Sequence, residues 1–108
     1  DIGADDIQLR NCGGYDHNFC LTGDPAAALW GETSGITMTV RTTLPGMQLY
    51  TANFLTGRRG KNGAAYAPHC ALCLETQYFP NAMACESFEK PILRAGERWE
   101  HRTAWTFS

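Results

Sequence analysis

Most of this chain alternates apolar and polar side chains, and nowhere does it hold the period of an amphipathic helix over a convincing length. Alternation puts one set of side chains on each face of an extended strand, so one face can enter a core while the other meets solvent. The clearest run is ITMTVRTT, Ile36–Thr43, with Ile36, Met38 and Val40 facing one way and Thr37, Thr39 and Arg41 the other. Comparable runs return roughly every 8–12 residues with turn residues between them, the pattern of an all-β sandwich.

Asp1–Asn11 is mostly polar, with Ile7 and Leu9 isolated among polar residues, and reads as a loop running into a short strand. CGGYDHNF at Cys12–Phe19 reads as a turn or a bulged strand end, because its glycines free the backbone and Asp and Asn favour turns. Phe19 and Leu21 begin a strand that stops at Gly23–Asp24–Pro25, and Ala26–Gly31 is another. Glu32–Gly35 has hairpin length. Leu44–Pro45–Gly46 interrupts the next strand, and Met47–Thr51 resumes it with Gln48 and Tyr50 on the face opposite Met47 and Leu49. Thr56–Gly63 reads as a mobile loop, Asn81–Pro91 as a covering loop and Arg94–Glu97 as a turn. Trp99–Phe107 closes the chain as a strand with His101, Thr103, Trp105 and Phe107 on one side.

The length of 108 residues fits one domain at most. A net charge of −2, with the densest basic cluster (Arg58, Arg59, Lys61) set among glycines, argues against a nucleic-acid partner. The longest wholly apolar run, Ala26–Trp30, is far too short to span a bilayer, and the opening DIGADD is not a signal peptide, so no membrane partner is expected. Five cysteines (Cys12, Cys20, Cys70, Cys73, Cys85) are an odd number, which fits a secreted disulfide framework poorly. Cys70 and Cys73 form a C-x-x-C, but no second pair completes a zinc site, and a redox pair normally opens a helix. The plain expectation is small buried thiols in a reducing, cytoplasmic setting, with no metal.

One stretch carries a charge inside a good alternating run. In HCALCLETQYFP, His69–Pro80, Leu72, Leu74 and Thr76 fall on one side and Cys73, Glu75 and Gln77 on the other. Glu75 is either a solvated surface residue or an acid held for chemistry. Gln48, by its strand alone, reads as part of a solvated face.

The motifs say more. GGYDHNF at Gly13–Phe19, PGMQLYTANFL at Pro45–Leu55, GKNGAAYAPH at Gly60–His69, CLETQYFP at Cys73–Pro80 and LRAGERWEHRTAWTFS at Leu93–Ser108 occur together and in this order. The set closely resembles the C-terminal part of the aldose 1-epimerases, the galactose mutarotases, over nearly all of the chain. The resemblance implies a large antiparallel β-sandwich, or supersandwich, about three times this length. Residues 1–108 would be its C-terminal segment. It implies interconversion of the α and β anomers of hexoses such as galactose and glucose, without a cofactor. The absence of an initiating Met and the acidic, loop-like start fit either processing or a cut piece of a longer protein; with the resemblance, the missing N-terminal part is the expected partner.

Residue by residue, the resemblance makes Glu75 the general base, Asp16 a ligand of sugar hydroxyls and Gln48 a further hydrogen-bonding residue. The family's general-acid histidine and its second sugar-binding histidine lie upstream of this chain, so His17, His69 and His101 are expected to stabilise turns or pack. The chemistry suits these types. A strand places a base rigidly, and half-burial brings a carboxyl's affinity for protons closer to neutrality. An ionised Asp accepts from hydroxyls, and a carboxamide both donates and accepts. Tyr50, Tyr78 and Phe79 are core aromatics or a wall for a sugar's C–H face.

Three readings of the chain follow. It is a piece of a full mutarotase that lacks the acid and is inactive alone. It is a non-catalytic carbohydrate-binding module. Or Asp16 and Glu75 form a two-carboxylate hydrolase pair, which needs a set separation across a glycosidic bond. An uncovered apolar face and free sheet edges are costly for a lone chain, which favours the first.

Overall fold

The computed structural model describes residues 1–108. It is nearly all β, with one short helix. The strands are β1 (Asp16–Cys20), β2 (Ala27–Trp30), β3 (Thr37–Thr42), β4 (Gly46–Tyr50), β5 (Arg58–Arg59), β6 (Ala65–Tyr66), β7 (Cys73–Gln77) and β8 (Thr103–Phe107). They form two three-stranded sheets, ordered β1-β4-β7 and β2-β3-β8, and a two-stranded β5-β6 ladder. By its contacts the chain divides into two compact units: residues 1–19 with 48–75, and residues 20–47 with 76–108. No helix is long and apolar enough to cross a membrane.

The first unit departs from expectation at its start. Ile7–Cys12 is an α-helix, α1, where a loop entering a strand was expected. Two caps hold it. The Asp6 carboxylate accepts from the Gln8 N–H at 2.7 Å, satisfying an amide that a helix start leaves unpaired. At the other end Gly13 adopts φ 66, and the Gly13 and Gly14 amides donate to the Arg10 and Leu9 carbonyls. This is a Schellman close, which a residue without Cβ makes at least cost. Leu9 is buried and Ile7 exposed, so a single apolar contact anchors the helix. The expected mobile loop at Thr56–Gly63 is in part a small hairpin: Arg58 pairs with Tyr66 and Arg59 with Ala65, with a 3-10 turn at Lys61–Gly63.

The second unit follows the alternation closely. β2 and β3 are antiparallel from Ala27↔Val40 to Trp30↔Thr37, and the expected Glu32–Gly35 connection joins them. The Gly31 amide donates to the Ile36 carbonyl at 2.9 Å and closes the turn. β3 also pairs with β8, Val40 opposite Trp105 and Thr42 opposite Thr103. Val40, on the central strand, is completely buried. Neighbouring β8 is an edge strand, and its Trp105 and Phe107 are exposed on the Val40 side of the sheet. β8 starts only at Thr103, later than expected: Trp99–Arg102 is irregular, and the Thr43 hydroxyl accepts from the Arg102 N–H at 3.0 Å. In Asn81–Pro91 the Lys90 ammonium ties the loop by donating to the Ala82 and Cys85 carbonyls.

All five thiols are free. The expectation that they are buried is not met: Cys20, Cys70 and Cys73 are exposed, and Cys12 and Cys85 lie at intermediate depth. Cys70 precedes the strand and Cys73 opens it on its solvent side, so neither enters a core.

Candidate functional site

Asp16, Gln48 and Glu75 lie on the three strands of one sheet, β1, β4 and β7, with the Gln48 strand in the middle. Asp16 opens β1, Gln48 sits at the centre of β4 and Glu75 at the centre of β7. Two of the three touch: Gln48 Nε2 donates to Asp16 Oδ1 at 2.7 Å.

The geometry of that bond comes from the pairing beneath it. The Thr51 N–H donates to the Tyr15 carbonyl at 3.1 Å, and the Leu21 N–H to the Pro45 carbonyl at 2.9 Å. Ascending residues of one strand meet descending residues of the other, so β1 and β4 are antiparallel. With Tyr15 opposite Thr51, Asp16 stands opposite Tyr50. Gln48, two residues from Tyr50, is then its diagonal neighbour on the same face. Met47 and Thr51 are buried, so the opposite parity of β4 carries the apolar side, as the alternation indicated.

Glu75 is exposed, whereas half-burial was expected for a base. Alternation still holds around it: Leu74 and Thr76 are half-buried on the other face. Within the second unit the Thr76 hydroxyl bonds that of Thr103 at 2.9 Å, and Thr103 bonds Thr42 at 3.0 Å, a chain of three hydroxyls. Burial of Glu75 depends on what covers the sheet, and the strand's own sequence does not encode that.

The histidines have structural partners. His17 Nδ1 accepts from the Asp16 N–H at 3.0 Å, and its ring meets Tyr15 edge-on. His69 Nδ1 lies 3.0 Å from the Thr51 carbonyl. His101 sits between Thr43 Oγ1 at 3.1 Å and the Tyr78 hydroxyl at 3.0 Å, with Trp99 against its ring. Tyr50 is half-buried and its hydroxyl accepts from the Phe54 N–H, while Phe79 packs edge-on against Phe88 at 4.9 Å. A cavity of about 450 Å3 in the first unit, lined by Gln8, Leu9, Tyr15, His17 and Phe19 among others, does not include the three candidate residues.

Gly14, Thr51 and Asn53 were not among the residues that the sequence singled out. They form a polar cluster at the root of β1 and β4. The signal for it was present as the GG before YDHN and the T-x-N after PGMQLY.

The sheet thus carries a carboxylate and a carboxamide bonded side by side, with a second carboxylate on the same sheet. Residues 3–106 match the family described as aldose 1-epimerase, and the chain belongs to that family. It is similar to human galactose mutarotase, at 46% identity over 107 residues covering 94% of this chain and 31% of that protein. It is also similar to Escherichia coli aldose 1-epimerase, at 35% identity over 111 residues covering 96% of this chain and 32% of that one. A crystal structure of an aldose epimerase homologue from C. elegans matches with a TM-score of 0.77 and 30% identity, over 87% of this chain and 30% of that chain. The all-β, mutarotase-like sandwich fold implied by the motifs is therefore found. The chain spans 31% of the length of the human relative.

Proposed function

We propose that these 108 residues are the C-terminal portion of an aldose 1-epimerase that interconverts the α and β anomers of hexoses such as galactose and glucose. In this reading Glu75 is the general base, and Asp16 and Gln48 hold sugar hydroxyls. The Glu75 carboxylate takes the proton of the anomeric hydroxyl while a proton is delivered to the ring oxygen. The ring C–O bond breaks, giving the open aldehyde. Rotation about one bond turns the other face of the carbonyl to the ring-closing hydroxyl, and reversal of the proton transfers closes the opposite anomer. The acid that serves the ring oxygen is a histidine outside this chain, so the chain alone is inactive. Its partner is the remainder of the same protein, and five unpaired thiols suit a reducing, cytoplasmic compartment.

The observation that carries the reading is the 2.7 Å bond from Gln48 to Asp16. It places an acceptor and a donor side by side, aimed from one sheet face, as adjacent sugar hydroxyls require. The exposed Trp105 and Phe107 on edge strand β8 support a larger domain that continues beyond this sheet.

Polarimetry on α-glucose tests the reading in the full-length protein. Glu75→Gln is expected to lower kcat by roughly 100-fold or more, the usual contribution of a general base, and to change sugar affinity little. Equal losses in both would remove Glu75 as the base. Sugar binding with no epimerisation by the intact protein would identify a binding module instead.

A further inference from the structure

The root of β1 and β4 is tied by buried polar side chains that the proton transfers do not use. We propose that Asn53, acting with Thr51, is a positioning residue that fixes the Asp16 carboxylate against the Gln48 carboxamide; this rests on the sugar-binding reading of Asp16 and Gln48.

Asn53 is 8% exposed and Thr51 4%. Asn53 Nδ2 donates to the carbonyls of Cys12 and Tyr15, each at 2.9 Å, and its Oδ1 accepts from the Thr51 hydroxyl at 2.6 Å. The Thr51 hydroxyl in turn accepts from the Tyr15 N–H at 3.0 Å. Both backbone polar groups of Tyr15 are thus captured, its carbonyl also by the Thr51 N–H. Asp16 is the next residue along, and Gln48 lies on the same strand as Thr51. The two side chains therefore project from a backbone whose pairing is set by Asn53 and Thr51. Gly14 makes the close approach possible, since a Cβ there would stand 2.4 Å from Asn53 Oδ1.

A bond between an exposed carboxylate and a half-exposed amide contributes little by itself, because water competes for both partners. It does not hold the pair in place. A buried network in which each member is satisfied does, because every alternative arrangement strands a polar group away from water. An apolar cluster would bury as well, but it would leave the Tyr15 amide without this acceptor and the strand root free to shift. Sub-ångström shifts matter here, since a hydroxyl ligand must meet donor and acceptor together.

The test is mutarotation kinetics on the full-length enzyme with Asn53→Ala, Thr51→Val, Thr51→Ser, Asp16→Asn and the Asp16→Asn/Asn53→Ala double variant. Asn53→Ala and Thr51→Val should each raise KM by about tenfold, the loss expected when a charged hydrogen bond is misplaced, with kcat changed much less. Thr51→Ser keeps the hydroxyl and should restore KM. In the Asp16→Asn background Asn53→Ala should add less than about twofold, because the two act through one group. If the alanine variant does not fold, the Thr51→Val and Thr51→Ser pair carries the same contrast. An unchanged KM with kcat falling in step with the folded fraction would make the cluster merely structural and overturn the inference. Should Asp16→Asn itself leave KM unaltered, the sugar-binding reading fails and takes this inference with it. A raised KM in Asp16→Asn beside normal values in Asn53→Ala and Thr51→Val would overturn the positioning role alone.

Discussion

Gly14→Ala adds one methyl group at the tightest point of the first unit, and its cost can be worked from the geometry. Gly14 sits at φ 141, a region that side-chain-bearing residues avoid. Holding alanine there costs on the order of 1–3 kcal/mol in backbone strain. The new Cβ would stand 2.4 Å from Asn53 Oδ1, 2.8 Å from Thr51 Oγ1 and 3.0 Å from His69 Cε1. Asn53 must move, and its two donations and one acceptance are disturbed. At about 1 kcal/mol net for each hydrogen bond, that adds roughly 2–3 kcal/mol. The expected loss is about 3–6 kcal/mol, a large share of the stability of an ordinary domain.

Urea unfolding of the full-length protein reads it as a lower midpoint with an unchanged slope. The cause is separable from the strain. In an Asn53→Ala background the carboxamide is already gone, so Gly14→Ala should cost less than it does alone. A loss below about 1 kcal/mol in the single variant, or strict additivity in the double, would refute the reasoning that Gly14 is required for the approach of Asn53.

Two further changes probe the second unit. Val40→Ala removes two methyl groups from the one completely buried large side chain, between Ala27 and Trp105, and should lower stability by about 2 kcal/mol in the same unfolding assay. Thr103→Val keeps the shape but deletes the hydroxyl shared by Thr42 and Thr76; a loss of roughly 1–3 kcal/mol is expected, and no change would mean that the hydroxyl chain stabilises nothing.

What the sequence disclosed follows the range of each interaction. β3 was legible because its alternation ran the length of the strand and its buried residue, Val40, falls in the phase read from ITMTVRTT. α1 was not, because six residues are too few to show a helical period, and Ile7 and Leu9 are spaced as in a strand. Its signal lay in the ends: an Asp before it and two glycines after it. The β5-β6 ladder was missed for a similar reason, since two-residue strands have no alternation to read.

In the site, alternation put Gln48 opposite Met47 and Leu49, and Glu75 opposite Leu74 and Thr76. That much is local, since neighbouring residues of a strand take opposite faces. The contact of Asp16 with Gln48 spans 32 residues of sequence and depends on register between strands, which no single strand carries. The motif resemblance named the residues but not their bond. The burial of Glu75 lies further still from local reading. Glu75 is exposed on the face opposite half-buried Leu74 and Thr76. The strand therefore fixes which face Glu75 takes, while the medium around it is set by whatever packs against that face. Glu75→Gln therefore separates the two roles an exposed strand carboxylate can have: a fall in kcat at unchanged sugar affinity is the outcome the proposed base requires, and an unchanged kcat is that of a solvated surface residue.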